Sequence, residues 1–261
     1  MSSSDIVIYE VADGIATVTL NRPERKNALS VDATRQLYAC WERIDVDPQV
    51  KVAILTSADC GVFCAGMDLR EAKEIKERDG SDILDHMKDP FNTRMRAVKK
   101  PIIAAMTGSL MAGGMLLSLN CDMRVGMAGT KVGITEVKVG RGSPWAAPLL
   151  WMLPQPILME LVITGELMEI ERLAEYGFVN YLEPTPDAVR DRARTLAQTV
   201  TQGAPLSVMA AKASVLATMN LGCEKGFEEA KRLHEPVYAS EDAKEGPRAF
   251  AEKRKPVWQG R

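Results

Sequence analysis

The chain has 261 residues, of which 46% are hydrophobic and 26% are charged, and its formal net charge at pH 7 is −2. This length and composition are typical of one substantial globular domain, and the nearly balanced charge excludes a global basic field for nucleic acid or an anionic membrane surface. The five cysteines form no CxxC pair and the two histidines lie in no cluster of ligands, so we expect reduced thiols, a cytoplasmic location and no metal site.

In chain order, the first elements predicted are two strands that form a hairpin. Residues 1–5 lack the basic and apolar regions of a secretory signal peptide. The β-rich runs 6–10 and Ile15–Leu20 then flank Asp13 and Gly14, a dipeptide that favours a hairpin turn. The elements that follow are a helix capped by Ser30 with Leu37, Trp41 and Ile44 on one face, a buried strand at 50–56, a charged helix at Leu69–Asp79, an irregular segment at 80–91, and short strands at Ile102–Met106, Met123–Met127 and Lys131–Gly133.

The pattern of strands and helices changes at Pro148. Before it, strands alternate with helices, which indicates an α/β core with parallel strands. We therefore predict an α/β core at 1–195 and a C-terminal helical region at 196–261. The most apolar stretch, 110–119, is too short to span a bilayer. After Pro148 the pattern predicts helices only, including those at 187–201, 206–219, Cys223–Ala239 and 240–255.

A first candidate for a ligand site is the loop at 60–68. It follows a buried strand and precedes a helix, so it lies at the carboxyl end of a parallel sheet, where α/β proteins bind ligands. Gly66 would let the backbone turn so that the N–H of Met67 points into a pocket. The alternative is an ordinary strand–helix turn that binds nothing.

A second candidate is the turn at 107–114, which also follows a strand and opens a helix. Unpaired N–H groups converge at the start of a helix, and the N–H of Gly113 is well placed to hold a developing negative oxygen. The alternative is that the small residues here only permit close packing of helix against strand.

The two turns belong to a longer series of motifs along the chain. These are NRPERKNAL at 21–29, FCAGMDL at 63–69, KKPIIAA at 99–105, AGG at 112–114, NCD at 120–122, AEYGFV at 174–179, SEDAKEG at 240–246 and FAEKR at 250–254. In this order the series resembles the crotonase, or enoyl-CoA hydratase/isomerase, family over nearly the whole chain. The resemblance implies an α/β fold built as a spiral of ββα units with a C-terminal helical trimerisation region. It also implies acyl-CoA substrates, no cofactor beyond the CoA of the substrate, and a homotrimer or dimer of trimers.

The resemblance also assigns roles to individual residues. The N–H groups of Met67 and Gly113 would form an oxyanion hole for the thioester carbonyl. For Lys26 and Lys253 a solvated surface charge is an equal alternative to a role in binding. The residues implied in CoA binding are Arg25, Lys26 and Ala28 at the nucleotide, Ala65 and Asp68 along the adenine and pantetheine path, and Phe250 and Lys253 on the terminal helix.

The chain departs from the family pattern at its proton-transfer residues. Hydratases of the family use two glutamates, and the position that aligns with the first is Leu116, which cannot carry a proton. The second is matched by Glu136, in an otherwise apolar stretch where desolvation would raise the pKa of its carboxyl toward that of a general base. The alternative for Glu136 is a surface glutamate in a β-turn.

The acyl end of the expected pocket is also unusual. Arg141 and Trp145 stand where the family usually has a glycine-rich stretch. Trp145 could wall an aromatic or cyclic acyl group, although a plain core tryptophan is an equal alternative. His86, in the irregular segment at 80–91, is a candidate second acid or base, or simply a solvated side chain.

One carboxylate and an oxyanion hole are enough to move a proton between the carbons of an enolate, so double-bond isomerisation is slightly preferred. Hydration by a non-standard second acid or base stays open. So does a non-catalytic acyl-CoA-binding homologue, which Leu116 favours and Glu136 disfavours. The sequence contains no basic stripe with interleaved aromatic residues, which is the pattern that indicates nucleic-acid binding.

Overall fold

The computed structural model describes residues 6–89 and 91–261. The expectation about a signal peptide at 1–5 therefore lies outside the described residues. The strands are β1 (Val7–Ala12), β2 (Ile15–Leu20), β3 (Val52–Ser57), β4 (Val62–Cys64), β5 (Ile102–Met106), β6 (Ser109–Met111), β7 (Met123–Met127), β8 (Lys131–Gly133), β9 (Met168–Glu169) and β10 (Tyr181–Glu183). The α-helices are α1 (Val31–Val46), α2 (Leu69–Asp79), α3 (Arg94–Ala97), α4 (Gly113–Leu119), α5 (Gln155–Thr164), α6 (Ile170–Glu175), α7 (Pro186–Thr201), α8 (Pro205–Leu221), α9 (Cys223–Ala239) and α10 (Glu241–Ala251), and 3₁₀ helices occupy Pro23–Arg25, Ile83–Asp85, Glu136–Val139 and Pro144–Trp151.

The strands form two sheets. The first has the order β1-β2-β3-β5-β7-β10, and every pair after the β1–β2 hairpin is parallel. The second has the order β4-β6-β8-β9, with only β8 and β9 antiparallel. The chain passes from the first sheet to the second three times, at β3–β4, β5–β6 and β7–β8, and helices α2 and α4 follow the first two of these pairs. This repeated ββα unit confirms the predicted α/β fold.

Local signals account for the first elements. Asp13 and Gly14 both adopt positive φ, at 53° and 78°, the geometry that matches a tight turn to the twist of a hairpin. The Ser30 side chain accepts a hydrogen bond from the Ala33 N–H at 3.0 Å and so caps α1 as predicted. The predicted apolar face of α1 is fully buried, since Leu37, Trp41 and Ile44 are each 0% exposed.

Strand β3 is buried at all six positions because the first sheet is covered on both faces. One face joins the main core with α1, and the other packs against Val189, Ala193 and Ala197 of α7. Residue 195, the predicted domain boundary, falls within α7, and the division into 1–195 and 196–261 stays a prediction. In the part of the chain that the structure describes, no helix is both long and apolar enough to cross a membrane.

The prediction of helices only after Pro148 is wrong. Strand β9 closes the second sheet and strand β10 joins the edge of the first, where Tyr181 pairs with Val125. Both strands are short, and neither shows the alternation of apolar and polar residues that marks a longer strand. Helix α10 also ends at Ala251 rather than at the predicted residue 255. Two further strands, β4 and β6, lie in segments that the sequence pattern presented as loops.

Candidate active site

The two glycine turns singled out in the sequence meet in space. Gly66 has a φ of 91°, and a Cβ atom there would lie only 2.8 Å from the Cβ of Ala112 and 3.1 Å from the nitrogen of Gly113. Only glycine allows this backbone and this approach together. The loop is fixed from the other side by Leu29, whose N–H donates to the Gly66 carbonyl at 2.7 Å and whose carbonyl accepts from the Asp68 N–H at 2.9 Å.

The turn before α4 is strained. Ala112 has φ 47° and ψ −113°, a conformation that costs a residue with a Cβ about 1–3 kcal/mol. Its N–H donates to the Gly133 carbonyl at 3.0 Å, a bond that holds the turn against β8. Within residues 6–89 and 91–261, neither the Met67 N–H nor the Gly113 N–H has an acceptor. Two free donors on adjoining turns can hold one negatively charged oxygen.

Met67 and Gly113 both line a cavity of about 200 Å³. Glu136 is the only carboxylate among the described lining residues, and Arg141 is the only cation. The remaining wall is mostly apolar, as expected for a small-molecule site. The lining residues are Leu29, Ala65, Met67, Leu69, Leu84, Met87, Phe91, Ala112, Gly113, Leu116, Thr135, Glu136, Val139, Arg141, Gly142 and Trp145.

Glu136 begins the 3₁₀ helix Glu136–Val139 and is half-buried. Its Oε1 accepts a hydrogen bond from Nε1 of Trp145 at 3.0 Å. Its Oε2 is buried and has no hydrogen-bond partner among the described residues. Burial raises the pKa of the Glu136 carboxyl above its usual value, although hydrogen bonds from its own N–H and from Trp145 act in the opposite direction. The side chain thus presents one fixed oxygen and one free oxygen.

Leu116 and Trp145 share the cavity wall with Glu136. Leu116 is 7% exposed and lies on α4, so no proton-carrying group stands at that position. Trp145 packs partly against the main core while its indole N–H reaches Glu136. Both interpretations of Trp145 therefore hold in part, because it is a wall of the cavity and also a packed residue.

Arg141, which lines the cavity, forms an ion pair with Asp82. Its two terminal nitrogens donate to the two carboxylate oxygens of Asp82 at 2.8 and 3.2 Å. Asp82 also caps the 3₁₀ helix Ile83–Asp85, and the guanidinium of Arg141 holds the pKa of its carboxyl below the usual value. Leu84 and Met87, from the same segment, line the cavity. The segment predicted to be irregular is thus a wall that the ion pair fastens in place.

His86 is not among the described residues that line the cavity. Its Nε2 lies 2.6 Å from Oγ of Ser81 and 4.0 Å from a carboxylate oxygen of Asp79. These contacts hold the imidazole beside the end of α2, so the structure gives His86 no place in the expected acyl pocket.

Asp68 is 3% exposed, so it holds neighbouring residues in place and offers little surface to a ligand. It accepts hydrogen bonds from Arg25 at 2.6 Å and Arg22 at 2.9 Å, and it caps α2. Burial would raise the pKa of Asp68, but the bonds from Arg25, the Glu71 N–H and Arg22 outweigh it and keep the pKa below its usual value. Arg25 is therefore held in a fixed position, with a quarter of its side chain exposed.

The other residues implied in CoA binding fall into two places. Lys26 is exposed, and its carbonyl accepts from the Ala65 N–H at 3.1 Å, which joins the loop at 21–29 to the loop at 60–68. Ala28, in the same loop, is 8% exposed. Phe250, with 86% of its surface exposed, and Lys253 lie at the exposed end of α10 and do not line this cavity.

Sequence reasoning missed three contributions to the site. Nothing in the sequence indicated that Trp145 would hydrogen-bond to Glu136 or that Ala112 would adopt a strained backbone. Asp82 could have been found, because an aspartate followed three residues later by Asp85 is a capping box. Across the described residues, no group of three or more His, Cys, Asp or Glu side chains could hold a metal ion.

Known proteins resemble this chain over nearly its whole length. A family model described as enoyl-CoA hydratase/isomerase matches residues 10–261. The chain is 36% identical over 263 residues to (E)-benzylidenesuccinyl-CoA hydratase of Thauera aromatica, covering 97% of this chain and 99% of that protein. It is 35% identical over 252 residues to enoyl-CoA hydratase EchA19 of Mycobacterium tuberculosis, with coverages of 94% and 92%. The crystal structure of an enoyl-CoA hydratase from Mycobacterium tuberculosis H37Rv matches with a TM-score of 0.88 at 35% identity, over 99% of this chain and 100% of that one.

Proposed function

The chain belongs to the enoyl-CoA hydratase/isomerase family, and on that premise we propose that it converts an enoyl-CoA thioester through an enolate, with Glu136 as the only proton carrier. A shift of the double bond is the preferred reaction, and addition of water is the second candidate. No cofactor besides the CoA of the substrate takes part.

The free N–H groups of Met67 and Gly113 support the binding of the thioester carbonyl oxygen. When a proton leaves the carbon next to the carbonyl, the electron pair moves onto this oxygen and its negative charge grows. Donors already in position then bind the oxygen more strongly than in the ground state, which lowers the barrier. The strain at Ala112 is consistent with this role, because such backbone conformations cluster at functional sites.

The single observation that carries the proposal is the asymmetry of the Glu136 carboxylate. The indole N–H of Trp145 donates a hydrogen bond to Oε1, while Oε2 is buried and has no hydrogen-bond partner among the described residues. Oε2 would take the proton from the carbon next to the carbonyl of a 3-enoyl thioester and return it to the far end of the resulting dienolate. The double bond moves and the composition of the substrate does not change, so one carboxylate suffices.

Hydration is kept as the second candidate because the named relatives above are hydratases. It would require Glu136 to take a proton from water while the oxygen adds to the carbon beyond, and then to deliver that proton to the enolate. Thr135 lines the cavity and precedes Glu136 in the chain, so its hydroxyl group would help to position the water. The apolar side chain of Leu116 speaks against efficient hydration, since it offers no second acid or base.

The deciding experiment compares 3-hexenoyl-CoA and 2-hexenoyl-CoA in deuterated water, with mass spectrometry of the products. Conversion of one enoyl-CoA into the other, without a gain of the mass of one water, supports isomerisation, and deuterium on carbon measures how often the Glu136 carboxyl exchanges with solvent before it returns the proton. A product that has gained the mass of one water from the 2-enoyl substrate, at a higher rate, would favour hydration and overturn the preference. Binding of both thioesters without any conversion would mean that the protein is a non-catalytic acyl-CoA-binding homologue.

The predicted assembly into a trimer or a dimer of trimers is also part of this proposal. Phe250 and Lys253 would then reach a CoA site on a neighbouring subunit, which is consistent with their exposure and with their absence from the described lining of their own chain's cavity. Light scattering of the purified protein tests the assembly, and a monomer in solution would contradict it.

A further inference from the structure

A second cavity, of about 580 Å³, adjoins the first. Five apolar residues line both cavities and form a waist between them. These shared residues are Leu84, Met87, Phe91, Leu116 and Trp145. The second cavity is thus the nearest space for the part of a ligand that lies beyond Trp145.

The second cavity differs from the first in the character of its far wall, which carries Lys88, Asp89, Asn92 and Arg96. The Asp89 carboxylate is already occupied, because it accepts from the backbone N–H groups of Phe91, Asn92 and Thr93. Among the described residues it forms no ion pair with Lys88 or Arg96.

Lys88 and Arg96 are held differently. The Lys88 ammonium lies 3.6 Å from the ring centroid of Tyr38, a cation–π contact that leaves its charge uncompensated. Arg96 is half-buried and has no hydrogen-bond or acidic partner among the described residues. Asp122, which shares another cavity wall with Arg96, is bonded instead to Lys212 at 2.8 Å.

Arg94, two residues before Arg96 on α3, gives a direct contrast. Its guanidinium is bonded to the carboxylate of Asp45 at 3.0 Å and to the Trp41 carbonyl at 3.1 Å. The same helix thus carries one arginine with partners inside the chain and one that has none among the described residues. A half-buried guanidinium is stabilised by a carboxylate, whose two oxygens match its planar fork.

We propose that the second cavity binds a carboxylate at the distal end of the acyl group, with Arg96 as the residue that recognises it. The substrate class is then the CoA monothioester of a dicarboxylic acid with an apolar middle section. The waist is apolar throughout, so it suits such a middle section. Leu116 stands at the waist where hydratases of the family carry a glutamate, and its lack of charge lets an anionic group pass without repulsion.

This inference rests on the proposed function only in placing an acyl-CoA thioester in the first cavity. Its test uses saturated thioesters, which have no double bond to move or hydrate. Isothermal titration calorimetry would compare hexanoyl-, octanoyl- and decanoyl-CoA with the CoA monothioesters of adipic, suberic and sebacic acid. The proteins are wild type, Arg96→Gln, Arg96→Lys and, as a control, Arg35→Gln, which removes an arginine from the exposed face of α1.

For at least one chain length, wild type should bind the dicarboxylic thioester roughly 10- to 100-fold more tightly than its methyl-ended partner, the range for a charged hydrogen bond. Arg96→Gln should remove this preference, Arg96→Lys should retain part of it, and Arg35→Gln should retain all of it. Thermal melting of each variant shows that it is folded.

Equal affinity of wild type for both members of every pair would overturn the assignment, as would a preference that survives in Arg96→Gln. A change in particle mass of Arg96→Gln by light scattering would mean that Arg96 belongs to a subunit contact, which also overturns it. Failure of the proposed function is a different result, namely no turnover of hexenoyl-CoA by a protein that binds hexanoyl-CoA.

Discussion

The indole N–H of Trp145 donates a 3.0 Å hydrogen bond to Oε1 of Glu136, nine residues earlier in the chain. The bond crosses from the 3₁₀ helix Pro144–Trp151 to the 3₁₀ helix Glu136–Val139. It holds Oε1 in place and leaves Oε2 without a hydrogen-bond partner among the described residues. The first two predictions test the two partners of this bond.

Replacing Glu136 by glutamine keeps the shape of the side chain and removes the base. We expect kcat to fall by roughly 10²- to 10⁴-fold, the contribution of a positioned general base, while the affinity for acyl-CoA changes little. Steady-state kinetics and calorimetry measure the two quantities. Glu175→Gln, at an exposed position, is the control and should behave as wild type. Undiminished turnover in Glu136→Gln would place the base elsewhere.

Replacing Trp145 by phenylalanine keeps most of the ring but removes the N–H donor. This bond favours the ionised carboxylate and lowers the pKa of Glu136, so its loss should raise that pKa further. Because the ionised form is the base, the acidic limb of kcat/KM should move to higher pH. Trp151→Phe, at an exposed tryptophan of the same 3₁₀ helix, is the control. An unchanged pH profile in Trp145→Phe would show that the bond does not tune the base.

Gly113→Pro removes the proposed oxyanion donor. Proline is tolerated at the first position of a helix, where Gly113 lies. We expect kcat to fall by about 10²- to 10³-fold, the usual effect of losing one such donor. Gly113→Ala is the matched control, because the N–H stays while its Cβ adds the crowding, at 3.0 Å from the Leu29 side chain and 3.2 Å from the Cα of Gly66. Circular dichroism checks folding, and similar losses in both variants would assign the effect to crowding.

Leu116→Glu places a second carboxylate on the cavity wall. We expect a larger share of hydrated product from 2-hexenoyl-CoA, together with lower stability because Leu116 is 7% exposed and a buried charge is costly. Leu116→Gln has a similar size without the charge and should lose stability without gaining hydration. Product analysis and thermal melting separate the two effects. An equal product ratio in both variants would contradict the role assigned to position 116.

Gly66→Ala tests the contact between the two turns. The added Cβ would lie 2.8 Å from the Cβ of Ala112, at a φ of 91° that disfavours any residue but glycine. We expect the free energy of unfolding to fall by about 1–3 kcal/mol, and kcat to fall as well. Gly61→Ala is the control, because Gly61 also has positive φ but faces open space. Denaturant unfolding should show a smaller loss for Gly61→Ala than for Gly66→Ala.

The elements that the sequence predicted well are those with local causes. The turn at Asp13 and Gly14, the Ser30 cap and the bounds of Leu69–Asp79 all follow from neighbouring residues, and each is found in the structure. Strand β10 depends instead on pairing with β7, more than fifty residues earlier in the chain. Three residues with no alternating pattern contain no local trace of such a partner.

The same distinction applies to the site. Met67, Gly113, Glu136 and Leu116, which the motifs singled out, line one cavity because strand–turn–helix units bring such positions to the sheet ends, and their roles stay predictions. The direction of His86 could not be read from the sequence, since it depends on which face of a short 3₁₀ helix packs inward. The spacing of residues along the sequence does not determine which side chains of this helix turn inward.

The ion pair between Arg141 and Asp82 has a consequence for how the solution environment reaches the site. Its side chains are 34% and 41% exposed, so dissolved salt screens their attraction. The carboxylate of Glu136 is half-buried and its free oxygen is sheltered from solvent. Ionic strength therefore acts on the ion pair beside the cavity, whereas the proton concentration acts on the carboxyl of Glu136, and the two influences can vary independently.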